Sequence, residues 1–138
     1  MKSLRTLLKL AQRDLEALRR EMATQIERQV AIEQRILGHD QTILQEQRLA
    51  QRDYESGRAF GGYAAASLVR LRAMVSEQEM VGVDIERLRG LITTAHVEAR
   101  KFERLIELEE ARAKTLADKR ENAEMDDFAT MRAARVPR

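Results

Sequence analysis

Two histidines, His39 and His96, are the side chains whose ordinary titration lies nearest neutrality. His39 precedes Asp40, a pairing that holds a metal or relays a proton when further ligands converge on it. No second ligand stands at helical spacing from His39. The acids Glu107, Glu109 and Glu110 are interleaved with Lys and Arg in the manner of a solvated helix face. There is no GxxxxGK[ST] phosphate loop, no GxGxxG and no HExxH. Catalysis needs groups that converge in a concave pocket, which a two-helix rod does not offer. The reading is therefore of a chain that is not an enzyme, with no catalytic residue, cofactor or metal. No aromatic platform alternates with basic residues, so nucleic acid is not an expected partner.

The elements that carry these residues are helical. In 138 residues, 35% are charged and 4% aromatic, with no Trp and one Pro at position 137. Ala, Glu, Lys, Leu, Arg and Gln dominate, the bias of long helices and coiled coils. The bulky apolar residues are too thinly spread for a wide core. The absence of cysteine excludes disulfides and thiolate chemistry and fits a cytoplasmic protein. No apolar run approaches the ~20 residues of a membrane span, so no direct membrane insertion is expected. The start, MKSLRTLLKLAQRD, has no continuous apolar region of the secretory kind. The formal net charge is +2, with bases and acids interleaved over most of the length.

Apolar residues recur at Leu4, Leu8, Ala11, Leu15, Leu18 and Met22. These alternating steps of four and three are the a/d pattern of a supercoiling helix. The phase continues through Gln25, Gln29, Ile32, Ile36, His39, Ile43, Glu46 and Ala50, with polar interruptions. A second seam runs Leu71, Met74, Gln78, Val81, Ile85, Leu88, Ile92, Ala95, Ala99, Phe102, Ile106, Glu109, Ala113 and Leu116.

Between the seams lies ESGRAFGGYAAAS, with Gly57, Gly61 and Gly62. Adjacent glycines weaken a helix and readily supply positive φ for a reversal, and Ser56 or Ser67 could add a cap. The fold expected is all-α: one domain over 1–138, made of two long helices in an antiparallel coiled-coil hairpin. Helix 1 spans about 3–57, the turn about 58–62 and helix 2 about 63–132. Facing residues then have a constant index sum of 120 or 121, as in Leu4 with Leu116, Leu18 with Phe102, and Ile36 with Ile85. Gly38 and Gly82 fall at one level, a place for a bend.

In that register helix 2 outruns helix 1 beyond about Arg120. In the overhang the seam positions turn polar, while Met125, Phe128 and Met131 recur on another face. An unpaired apolar stripe of this kind points to a partner protein. The tip is basic: Lys2, Arg5, Lys9 and Arg13 precede the first acid, and Arg132, Arg135 and Arg138 close the chain. Such a tip suits an acidic cavity, a nucleic acid or an anionic membrane surface.

Three stretches resemble one known family. They are the opening LRTLLKLAQRDLEALRREMA, the run EARKFERLIELEEARAKTLADKRE, and the end EMDDFATMRAAR, in which an acidic pair precedes a short apolar group and terminal arginines. Together with the length and the central break, they make the chain similar to the FliJ family of the bacterial flagellar type III export apparatus. The resemblance implies a stalk-like hairpin whose terminal end inserts into a hexameric export ATPase. It also implies contact with the cytoplasmic side of a membrane export-gate protein, escort of export chaperones, and a place at the inner-membrane flagellar base. The ATPase-binding end would then carry Lys2, Arg5, Lys9, Arg13, Met125, Phe128, Met131, Arg132 and Arg135. Tyr54, Phe60, Tyr63 and Leu68, near the turn, are candidates for the gate contact or, equally, for closing the hairpin. The alternative is a structural coiled-coil tether or oligomeric spacer with no ATPase partner.

Overall fold

A computed structural model describes residues 2–135. The fold is all-α. Helix α1 spans Lys2–Ala50 and helix α2 spans Tyr54–Ala134, and the two pack against each other as a hairpin. Arg138, expected to extend the basic tip, lies outside the described residues.

The seam of α1 coincides with the heptad pattern. Its residues that are not exposed are Leu4, Leu8, Ala11, Leu15, Leu18, Met22, Gln25, Gln29, Ile32, Ile36, His39, Ile43, Glu46 and Ala50. These are the a and d positions, as burial of a single stripe demands. In α2 the seam runs from Leu71 to Glu109 as expected, then stops. Ala113 and Leu116, expected to face helix 1, are exposed. At the other end the stripe extends back through Ser67, Tyr63, Phe60 and Ser56.

The turn differs from the expectation of 58–62. It occupies 51–53, and Gly61 and Gly62 lie inside α2. Asp53 explains the difference. The backbone N–H of Glu55 donates to Asp53 Oδ1 at 3.2 Å, and the Ser56 hydroxyl donates to Oδ2 at 3.4 Å. The Gly57 N–H donates to the Asp53 carbonyl at 3.0 Å, opening the helix. This is an N-cap, with Glu55 in the first turn on the favourable side of the helix dipole. Among the described residues no φ is positive, so the reversal needs no glycine for its backbone. Gly57 serves another purpose: a Cβ there would stand 3.0 Å from the Ala50 carbonyl oxygen. Its missing side chain lets the start of α2 lie against the end of α1.

An earlier turn changes the register. The contacts divide the chain into a terminal unit, Met1–Asp14 with Ala95–Arg138, and a turn unit, Leu15–Thr94. In the terminal unit Arg5 pairs with Glu110 at 3.6 Å, so Leu4 lies near the level of Ala111, closer to Glu109 than to Leu116. In the turn unit Arg35 pairs with Glu77 at 3.3 Å and Arg87 with Glu21 at 3.6 Å. The residue numbers of the two pairs at like heptad positions, Arg5 with Glu110 and Arg35 with Glu77, add to 115 and 112, below the expected 120–121 by about one heptad. A slide of one heptad still matches seam to seam, so only the turn distinguishes the registers.

In the turn unit the core is a cluster of Ile32, Val81 and Ile85, flanked by Met22 and Ile36. Leu88 is fully buried. The seam also covers polar atoms that no protein group meets at hydrogen-bond distance: Gln25 Oε1, Ser67 Oγ and both ring nitrogens of His39.

Two outcomes follow for measurement. Gly61→Ala and Gly62→Ala meet open space inside a helix and should each stabilise by about 1 kcal/mol, raising Tm in a circular-dichroism melt. Gly57→Ala should lower it. Cysteines replacing Leu4 and Glu109 should crosslink within one chain. Cysteines replacing Leu4 and Leu116 should not, because seven residues of helix add roughly 10 Å.

Candidate functional site

The terminal unit is built from two helical segments of unequal reach. Its α1 segment begins at Lys2, which in the register of the Arg5–Glu110 pair lies near the level of Ala113. From Glu110 to Ala134 every residue of α2 is exposed. An overhang of about 21 residues, 114–134, therefore runs as helix without a second helix beside it. At the helical rise it measures about 32 Å. The sequence placed the start of this overhang near Arg120, and the earlier turn lengthens it.

Heptad position decides which side of the seam a residue takes. Leu8 and Leu71 are a positions, Leu4 and Met74 d positions. In an antiparallel pair the e positions of both helices meet on one flank and the g positions on the other. Arg5 and Glu110 are both e, and Arg35 and Glu77 are both g, so the ion pairs confirm the assignment within each unit.

The nine side chains expected at the ATPase-binding end spread from the e side of the seam to the back of the helices, because f positions lie opposite the seam. Arg5 is e, Lys2 and Lys9 are b, and Arg13 is f. Continued along the overhang, the phase puts Met131 at e, Phe128 and Arg135 at b, and Met125 and Arg132 at f. The three apolar residues are 63%, 67% and 57% exposed for Met125, Phe128 and Met131. The two groups are not one patch. Some 15 residues of α2 separate Glu110, beside Arg5, from Met125, roughly 22 Å of helix. The pairing with Glu110 is between half-exposed side chains and leaves the basic group little neutralised.

The opposite flank of this unit holds residues that the pattern analysis passed over. Leu7 and Leu10 on α1, and Leu105 and Leu108 on α2, occupy g and c positions and are exposed. Their signal was present in the sequence as leucines one step off the seam. Next to them Leu108, Ala111, Thr115 and Leu116 line a shallow groove of about 340 Å³ on α2.

The residues proposed near the turn divide. Phe60 and Tyr63 lie on the seam, their ring centroids 6.3 Å apart, over a cleft shared with Glu46, Leu49 and Ala50. They close the hairpin. Tyr54, 83% exposed, and Leu68 remain on the surface. His39 lies on the seam, with Asp40 Oδ1 4.0 Å from its Nδ1, too far for a hydrogen bond. His96 is exposed. Among the described residues no group of three His, Cys, Asp or Glu could hold a metal ion. Among the described residues no helix is long and apolar enough to cross a membrane.

The comparisons add no relative. No protein-family model matches the chain, no curated protein matches it, and no solved structure matches it.

Because Phe128 touches no second helix, Phe128→Ala should leave the melting temperature of the isolated chain unchanged, within about 0.5 kcal/mol. A differential scan of the two proteins checks this.

Proposed function

We propose that this chain is a non-enzymatic component of flagellar protein export, of the FliJ kind. Its terminal end enters the central opening of a hexameric export ATPase, as a stalk does, and favours assembly of the ring. The turn end serves the membrane export-gate protein, through Tyr54 and Leu68, and the chain escorts export chaperones. Its place would be cytoplasmic, at the inner-membrane flagellar base.

One observation supports this reading most. The basic residues at the start of α1 and the exposed Met125, Phe128, Met131 stripe both belong to the terminal unit, on and beside an exposed helix end. A projecting helix that carries exposed apolar and basic residues suits an acidic, narrow receptor. A single hairpin cannot satisfy six identical sites at once, so binding to the ring must be asymmetric. A ligand that prefers the ring over its free subunits shifts assembly by that preference.

The second reading, an oligomeric spacer without an ATPase, draws on the Leu7, Leu10, Leu105 and Leu108 patch, which a second copy could cover. Sedimentation of the free chain separates the two.

The test is the rate of the export ATPase against its own concentration, with and without this chain. The stalk reading expects the largest increase at low ATPase concentration, with one chain per ring. Charge reversal at Lys2, Arg5 and Lys9 should remove most of the increase and its dependence on salt. Phe128→Ala should weaken the complex by about 1–3 kcal/mol. Equimolar binding to ATPase monomers, or an unchanged rate at every concentration, would favour the spacer.

A further inference from the structure

At the turn end the seam carries a carboxylate. Glu46 holds a d position of α1 and is half-buried. It lines a cleft of about 330 Å³ whose other walls are the rings of Phe60 and Tyr63, the apolar Leu49, Ala50 and Ala59, and the side chain of Ser56. Among the described residues no lysine or arginine stands at ion-pair distance from Glu46. The arginines near it in the chain are turned elsewhere. Arg48 takes an f position, on the back of α1. Arg52 and Arg58 line a separate cleft together with Asp53 and Tyr54. The carboxylate therefore faces two aromatic rings with no counter-charge of the chain's own.

The rings and the carboxylate favour the same kind of ligand. An aromatic ring carries negative potential on its faces, which repels an anion and attracts a cation. The centroids of Phe60 and Tyr63 are 6.3 Å apart and the rings are tilted by 36°, so one cation can stand within about 6 Å of both. Ser56 donates its hydroxyl hydrogen to Asp53 Oδ2 at 3.4 Å, which leaves its oxygen free to accept. A metal ion is a poor match, because hard cations gather several oxygen ligands and this cleft has one carboxylate. A guanidinium matches on each count. It is planar, pairs with a carboxylate through two N–H groups, and stacks on aromatic faces. The volume is at the low end for a ligand site and suits a side-chain head group. Leu49, 48% exposed, and Ala59, also exposed, border the mouth with apolar surface of the kind that covers an arginine's methylene stem.

We propose that the cleft of Glu46, Ser56, Phe60 and Tyr63 is a binding site for a guanidinium group, presented by an arginine side chain of a partner protein. Glu46 pairs with the guanidinium, the two rings pack against it, the Ser56 oxygen accepts a further N–H, and Leu49 and Ala59 meet the stem. The cleft includes neither Tyr54 nor Leu68, and its test uses no gate protein and no ATPase, so it stands or falls apart from the stalk and gate readings.

The probe is a short capped peptide with one central arginine, and its twin carries citrulline, the uncharged isostere. Titration of the full chain followed by nuclear magnetic resonance should show shifts confined to Glu46, Ser56, Phe60, Tyr63 and their neighbours. The arginine peptide should bind at least about tenfold tighter than its twin. Glu46→Gln should weaken the arginine peptide at least about tenfold without lowering the melting temperature, because it removes a charge from the seam. Phe60→Leu, which keeps the seam apolar and removes a ring, should weaken it by about two- to fivefold. Glu27→Gln, at an exposed f position of α1, should change nothing. Equal binding of the two peptides, no shift at millimolar peptide, or an equal loss from Glu27→Gln would overturn the proposal. So would tighter binding of butylguanidinium than of the peptide, since it would assign the cleft to a free small cation.

Discussion

Two helices side by side share one strip of contact, and the burial in this chain is confined to it. A larger bundle can lose a layer and keep others around it. Here each a or d position has a partner on one side and solvent on the other. The buried hydrophobic residues are few: Ala11, Leu15, Ile32, Met74, Val81, Ile85, Leu88 and Ala99. Every further property is a property of what borders that strip. The flanks inherit their chemistry from residues one step off the seam, and the overhang begins where the seam of α1 has no more residues to offer.

The seam was legible in the sequence because burial on one stripe leaves a strong periodic trace. In α1 the heptad reading found Gln25, Gln29, His39 and Glu46 on the stripe beside the leucines, and all four are partly buried there. The turn was not legible in the same way. A glycine pair announces a reversal only when the backbone must take a positive φ, and this reversal takes none. The signal that mattered was Asp53, a short acceptor able to cap the helix that follows it. Because the seam repeats every heptad, the misplaced turn left an apparently consistent register, and the periodicity could not correct it. The basic and apolar residues of the terminal end were legible as types. Their distance apart was not, since it depends on which residues of the two helices meet.

The distribution of charge gives the two units different characters on corresponding flanks. In the turn unit the g flank is a ladder of ion pairs, and the e and b positions mix exposed apolar residues with acids. In the terminal unit the leucines take the g flank, and the bases spread from the e side of the seam to the back of the helices. Exposed ion pairs add little to stability at this degree of solvation, so the ladder is better understood as fixing register and discouraging association on that side.

The overhang has a further consequence. A helix with no neighbour is held by its own hydrogen bonds and propensity, and its helicity depends on length and temperature. Five of the 21 residues from Lys114 to Ala134 are alanine, and Thr115 and Thr130 return their hydroxyls to the carbonyls of Ala111 and Asp126. Melting from such an end proceeds turn by turn, each turn shortening the projecting helix by about 5.4 Å. The projection is therefore a length that responds to temperature. A receptor deep enough to contact its last turn would bind more weakly on warming, while the paired seam behind it stayed intact.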